Sequence, residues 1–333
     1  LALFCLFMAR LSPKPPARKR VAKAHAVGKD PSLAPALGAV RKQYVIPGSG
    51  GPDSLVRVGD CREVMRTFDE WRRGAIDLIF ADPPFNWSVP YDRWADDLPH
   101  NEYLDFTYRW IEACAQGLRP GGAFWVNIPD DWAAEIVVYM KRLGLEMVNW
   151  CIWHYRFGQN NRGRFISSKV HALYFVKPGG ERRWNALDIV EPSDRATIYG
   201  DRRTLSKRDG MPAGMRVPMD VWYGKYWGRI QGNNKERRSR HHNQLPEVYL
   251  SRVVRACSNP GDVVMDPFLG SGTTGVVAHA LGRRFLGCEF SPENAASAVE
   301  RIRKGPARPL DEPSEGSAIF SPRRTLTIKE SAS

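Results

Sequence analysis

Ile76-Asp77-Leu78-Ile79-Phe80-Ala81-Asp82-Pro83-Pro84-Phe85 runs from a buried-strand pattern straight into a stiff turn that is both acidic and aromatic. Residues 76–81 are nearly all apolar, as a strand covered on both faces requires. The two prolines fix φ and remove backbone donors that would compete for nearby acceptors. Such a turn suits the chemistry of a planar amine. An exocyclic amine on a purine or pyrimidine is a poor nucleophile, because its lone pair is delocalised into the ring. A carboxylate and a fixed carbonyl can accept its two N–H bonds, localising the lone pair and steadying the positive charge that develops as a methyl arrives. Asp82 would supply the carboxylate, Pro83 the carbonyl, Pro84 the stiffness and Phe85 a ring for the base to stack on. Taken alone, the tetrapeptide reads equally well as a strand-ending turn with an aspartate cap and a buried Phe.

A second phrase answers it downstream: Asp266-Pro267-Phe268-Leu269-Gly270-Ser271-Gly272-Thr273-Thr274, after the apolar run Val263-Val264-Met265. A strand, a glycine turn and a helix let backbone approach a cofactor closely. The helix is expected over 273–281, ended by Gly282, and the next strand over 285–289 ends on Glu289. A carboxylate about 20 residues after the glycines is placed to bind ribose hydroxyls. The spacing departs from G-x-G-x-x-G, which disfavours a nicotinamide or flavin enzyme. Asp266 reads as a cofactor-side residue or a turn former. Asp60 reads as a helix N-cap.

In this order the phrases resemble the DNA amino-methyltransferases that use S-adenosylmethionine, in the β arrangement, where the catalytic motif precedes the cofactor motif. The resemblance runs from about Val56 to Arg303 and includes Val58-Gly59-Asp60-Cys61, Tyr91-Asp92-Arg93-Trp94, Leu118-Arg119-Pro120-Gly121-Gly122 and His242-Asn243-Gln244-Leu245-Pro246-Glu247. It implies a Rossmann-like methyltransferase fold of circularly permuted motif order: α/β, with a doubly wound, mostly parallel sheet and an inserted target-recognition region. It also implies catalysis by Asp82, Pro83, Pro84 and Phe85. Cofactor binding would fall to Asp60, Asp266, Phe268, Gly270, Gly272, Thr273 and Glu289. The adenine enzymes of the family more often carry Tyr where this chain has Phe85; Phe still stacks.

Composition agrees. The 333 residues carry a formal charge of +13, which favours a polyanionic partner. The six cysteines form no C-x-x-C pair, so neither zinc nor a disulfide framework is expected, and a reducing cytoplasm with the enzyme on the nucleoid is the expected setting. Residues 1–8 are apolar but too short to span a bilayer and lack the basic start of a signal peptide. The chain opens on Leu, and Met8 is the expected translation start.

Strands are expected at 55–58, 76–81, 123–128, 148–154 and 170–176, with helices from Asp60 to about Trp71 and over 103–117 and 132–143. The organisation follows as a basic, disordered arm (1–44), a catalytic half (45–177), a target-recognition insertion (178–241), a cofactor-binding half (242–304) and a disordered tail (305–333). Residues 178–240 hold fourteen basic residues against eight acidic ones, a net of +6, with aromatics interleaved. Arg and Lys meet phosphates and read guanine edges. Arg237, Arg238 and Arg240 are therefore expected at DNA, whereas Trp222 and Trp227 read as the insertion's own core. Gln159, Asn160, Asn161, Arg162 and Arg164 form a second polar loop near the crevice, able to touch the target or its strand.

The favoured reading is methyl transfer from S-adenosylmethionine to N6 of adenine in double-stranded DNA, with the base flipped out of the stack. Asp at the head of the tetrapeptide favours adenine by family resemblance. Cytosine N4 is the close alternative; RNA methylation and a non-catalytic DNA-binding regulator are weaker ones. The resemblance also allows a homodimer, although no apolar stripe declares an interface.

Overall fold

The computed structural model describes residues 40–48, 51–155, 160, 162–205, 210–238, 241 and 243–310. In chain order its strands and α-helices are β1 (Lys42–Ile46), β2 (Ser54–Val58), α1 (Cys61–Val64), α2 (Asp69–Arg72), β3 (Ile76–Ala81), α3 (His100–Gly117), β4 (Leu118–Ile128), α4 (Asp130–Arg142), β5 (Glu146–His154), β6 (Lys169–Val176), β7 (Glu191–Pro192), α5 (Asp194–Thr197), β8 (Met215–Arg216), β9 (Val221–Trp222), α6 (Glu247–Cys257), β10 (Val263–Asp266), α7 (Thr273–Ala280), β11 (Arg284–Glu289) and α8 (Pro292–Lys304). No described helix is long and apolar enough to cross a membrane.

Nine strands form one sheet in the order β1-β2-β11-β10-β3-β4-β6-β5-β9. The five strands from β2 to β4 run parallel, and β6 runs antiparallel to both of its neighbours. All six residues of β3 are buried, as its near-continuous apolar run requires. From β3 the chain winds through α3 to β4; from β10 it winds through α7 to β11 on the other side. Winding therefore reverses between β3 and β10, which pair in parallel through Val264 with Leu78 and Met265 with Ile79. Ligands bind at such a reversal, outside the carboxyl ends of the strands. Both sequence phrases begin there.

Several elements depart from the sequence expectation. Strand β1 straddles the boundary drawn at residue 44 between the basic arm and the catalytic half, and pairs antiparallel with β2. Residues 1–39 of that arm lie outside the described residues, as does the tail from 311. Residues 305–310 are described, with Leu310 packed on the core and the Ala307 N–H donating to Glu247 Oε2 at 2.9 Å. The helix expected from Asp60 to Trp71 is broken: Phe68 adopts an extended conformation (ψ 137°) and is fully buried, so the chain turns to place its ring in the core. Strand β4 starts at Leu118, with Pro120-Gly121-Gly122 accommodated by a register shift against β3. Within 178–241 only short elements form, but β9 adds to the main sheet beside β5.

At the opposite end of the sheet from the reversal crevice, Asp77 fastens β3 to its neighbours. It is buried, accepts from Arg119 Nε at 2.6 Å and from the Val263 N–H at 2.9 Å, and faces Arg183. Asp77→Ala leaves two partly buried donors without their acceptor and is expected to lower unfolding free energy by about 2 kcal/mol in urea titrations.

Candidate active site

Asp82 follows the last residue of β3, and Asp266 is the last residue of β10, so the reversal sets two carboxylates side by side. A single cleft is lined by Asp82, Pro83, Pro84 and Phe85 from the first phrase and by Asp266, Phe268, Gly270 and Thr273 from the second, together with Asp60 and Glu289. Every residue expected to act in catalysis, and all but one of those expected to bind the cofactor, meet in this cleft.

The first phrase is held rigidly. The Tyr103 hydroxyl donates to Pro84 O at 2.7 Å, and Trp132 Nε1 donates to Phe85 O at 2.9 Å. The Pro83 carbonyl takes part in no hydrogen bond among the described residues. Phe85 is buried and meets Trp87 edge-on, with ring centroids 5.1 Å apart. Asn86 and Ser88 adopt φ of 59° and 57°, a conformation Asn tolerates better than most residues. Buried Asp96 secures them by accepting from the N–H groups of Asn86, Trp87 and Val89. Asp82 itself accepts from Asn127 Nδ2 at 2.7 Å through Oδ1, leaving Oδ2 without a partner among the described residues. Desolvation pushes the Asp82 carboxyl up to about 8; Asp266 adds to the rise, and Asn127 and Arg229 oppose it.

The second phrase is held by its own acids. Asp266 Oδ1 accepts from the Phe268 N–H at 2.8 Å, so Asp266 is a turn former as well as a wall of the cleft. Glu289 Oε2 accepts from the Gly270 N–H at 2.8 Å and Oε1 from the Ser291 N–H at 2.9 Å. Each oxygen keeps a second lone pair for a hydroxyl. Burial raises Asp266 to about 6 and Glu289 to about 7. Asp60 caps α1 by accepting from the Arg62 N–H, and it also lines the cleft. Phe268 packs edge-on against Phe106 and Trp110. Thr273 begins α7, with Oγ1 bound to Arg301 Nη1 and Leu245 O.

Gly272 is the exception. Its φ of 81° needs glycine, but a Cβ there would stand 2.9 Å from Ala298 Cβ on α8. It packs a helix and does not line the cleft. Gly270 (φ 48°) faces open space, where a Cβ would meet only Phe268 O at 3.7 Å.

Chain 76–300 matches a family described as DNA methylase, the N6/N4 methyltransferases. The chain is 33% identical over 248 residues to the Type II methyltransferase M.BamHI of Bacillus amyloliquefaciens, covering 74% of this chain and 56% of that one. It is 30% identical over 237 residues to the Type II methyltransferase M1.MboII of Moraxella bovis, covering 68% and 88%. Its fold is similar to TTHA0409 of Thermus thermophilus complexed with S-adenosyl-L-methionine, at 26% identity and TM-score 0.50 over 74% of this chain and 93% of that one. This chain belongs to the N6/N4 DNA methylase family.

In this methylase the polar loop between β5 and β6 emerges at the same end of the sheet as Asp82, because Ile128 at the end of β4 pairs with His171 near the start of β6. Arg162 and Arg164 on it are exposed. Arg237 is exposed, and the Arg238 N–H donates to Oε1 of Gln244, a cleft residue. Arg240, Gln159, Asn161 and His242 lie outside the described residues. Sequence reading missed Asn127, Tyr249, Arg229 and Asp96. A polar Asn in the apolar strand Phe124-Trp125-Val126-Asn127-Ile128 was the one visible signal.

Gly270→Val is expected to weaken S-adenosylmethionine binding at least tenfold, about 1.4 kcal/mol, by calorimetry. Gly272→Ala should instead lower thermal stability, through its clash with Ala298. Asp82→Asn tests the desolvated carboxyl at the cleft wall. With its folded pKa raised above the unfolded value, wild-type stability falls as pH rises from about 4 to about 8. The gain in melting temperature from Asp82→Asn should therefore grow over that window and vanish below it.

Proposed function

We propose that this DNA methylase transfers a methyl group from S-adenosylmethionine to the exocyclic N6 amine of adenine in double-stranded DNA. The observation that carries the reading is Asp82: a carboxylate with one oxygen held and one unpartnered among the described residues, in a cleft shared with a glycine turn. The cleft's residues fit the methyl donor. Acids line it at Asp60, Asp266 and Glu289, suited to ribose hydroxyls and to a cation, and aromatic walls at Phe106, Phe268 and Phe290 suit a flat base. When bound, S-adenosylmethionine supplies an electrophilic methyl on a cationic sulfur.

The protein's own groups act on the amine. Asp82 Oδ2 accepts one N–H and the Pro83 carbonyl the other, which localises the lone pair. Phe85 stacks on the base, standing in for the neighbouring bases it leaves in the helix. The rigid turn lowers the entropic cost of alignment. Asp82 must be ionised to accept both the hydrogen bond and the developing charge, and it takes the proton the amine loses. A cation bound beside Asp82 and Asp266 favours their ionised forms. Arg162, Arg164, Arg237 and Arg238 are proposed to meet the duplex around the cleft mouth, mainly at phosphates. Residues 45–177 and 242–304 are proposed as the two halves of the catalytic domain and 178–241 as the recognition insertion.

Asp at the head of the tetrapeptide supports adenine. Nucleosides digested from unmethylated genomic DNA, after incubation with labelled S-adenosylmethionine, should carry label in N6-methyladenine; label in N4-methylcytosine would overturn the base assignment. Single-turnover rates should rise with pH along an acid limb well above the ordinary aspartate range, because the proton must leave Asp82 first.

A further inference from the structure

Asn127 and Tyr249 form a buried relay behind Asp82 that the sequence motifs do not contain. Asn127 lies near the end of β4, 1% exposed, and donates from Nδ2 to Asp82 Oδ1 at 2.7 Å. Tyr249, on α6 and fully buried, sits with its hydroxyl 3.2 Å from Asn127 Oδ1, donating to it. An amide has one donating and one accepting end, and only one orientation is useful to a carboxylate. With the phenol donating to its oxygen, Asn127 must turn its NH₂ to Asp82.

We infer that Asn127 and Tyr249 are positioning residues for methyl transfer: together they hold Asp82 Oδ1 and favour its charged form, so that Oδ2 alone is offered to the amine. The inference rests on the proposed role of Asp82. Without the relay the amide could flip and set its oxygen against the carboxylate, which favours the protonated acid. The other groups facing Asp82 do not replace it. Asp266 at the end of β10 opposes ionisation, Arg229 from the insertion favours it without a direct hydrogen bond, and the phenols of Tyr91 and Tyr103 lie nearby. Tyr103 is already committed to Pro84 O.

The Tyr249 ring is fixed by the insertion as well as by the sheet. Trp222 meets it edge-on at 5.3 Å and Trp227 at 6.2 Å, while Phe80 of β3 meets it at 5.6 Å. Removing the hydroxyl alone, as in Tyr249→Phe, keeps this packing.

The test is a ¹³C carboxyl titration of the full, aspartate-labelled chain without cofactor, with the Asp82 signal assigned by its loss in Asp82→Asn. Asn127→Ala should raise the Asp82 pKa by about one unit, the scale of one hydrogen bond to a charged group. Tyr249→Phe should raise it in the same direction by less. In parallel, the acid limb of single-turnover transfer to unmethylated genomic DNA should move to higher pH in both variants, with cofactor affinity unchanged and rates recovering toward wild type as pH is raised. An unchanged Asp82 titration in Tyr249→Phe, which deletes one oxygen and is expected to fold, overturns the inference whatever the rates do. Failure of the native chain to label any DNA would instead overturn the proposed function, while the titration still decides the relay.

Discussion

The parallel pairing of β3 with β10 is the constraint on which the rest of the molecule depends. It brings residues 82 and 266, far apart in the chain, to the same edge of one sheet, and both are carboxylates. Two acids removed from water repel one another and lose hydration, so each is expected to hold its proton longer than a surface aspartate. The surroundings offset this with directed donors: Asn127 for Asp82, and the Phe268 N–H for Asp266. The two acids together suit a cation. A methyl donor with positive charge would relieve the repulsion that the fold imposes, linking cofactor binding to the charge state of Asp82, the acid proposed to handle the amine.

Residues 191–227 are tied to the main sheet and to α6. β9 pairs with β5, Trp153 Nε1 donates to Trp227 O at 2.6 Å, and Arg252 lies over the Trp222 and Trp227 rings while paired with buried Glu191. The expectation that Trp222 and Trp227 form a core agrees with their burial, but this core includes Tyr249 of α6. Arg237 is exposed just before Asn243-Gln244-Leu245, which lines the cleft.

Much of this was legible in the sequence, for physical reasons. β3 and the glycine turn announce themselves because a doubly covered strand must be apolar and a tight turn needs φ that glycine alone adopts easily. The start of α8 follows ordinary capping chemistry: Pro292 takes the first turn and Ser291 Oγ accepts from the Asn294 N–H. Strand β1 was not, because Lys42-Gln43-Tyr44-Val45-Ile46 is an edge strand whose polar face blends into a basic arm. The break at Phe68 depends on tertiary burial, which local pattern does not encode. Gly272 looked like Gly270 in sequence, yet faces α8. Asn127 and Tyr249 act across 45 and 122 residues of chain, to Asp82 and to each other, and no spacing rule reaches that far.

The central claim is that Asp82 handles the target amine in a cleft whose cofactor side is built by the second phrase. The most direct test is single-turnover transfer of labelled methyl to unmethylated genomic DNA by Asp82→Asn, with both proteins saturated in S-adenosylmethionine and the affinity for it measured alongside. The account predicts transfer reduced by about a thousandfold or more, as for loss of a group that stabilises developing charge, with cofactor affinity little changed. Transfer retained near the native rate would contradict it.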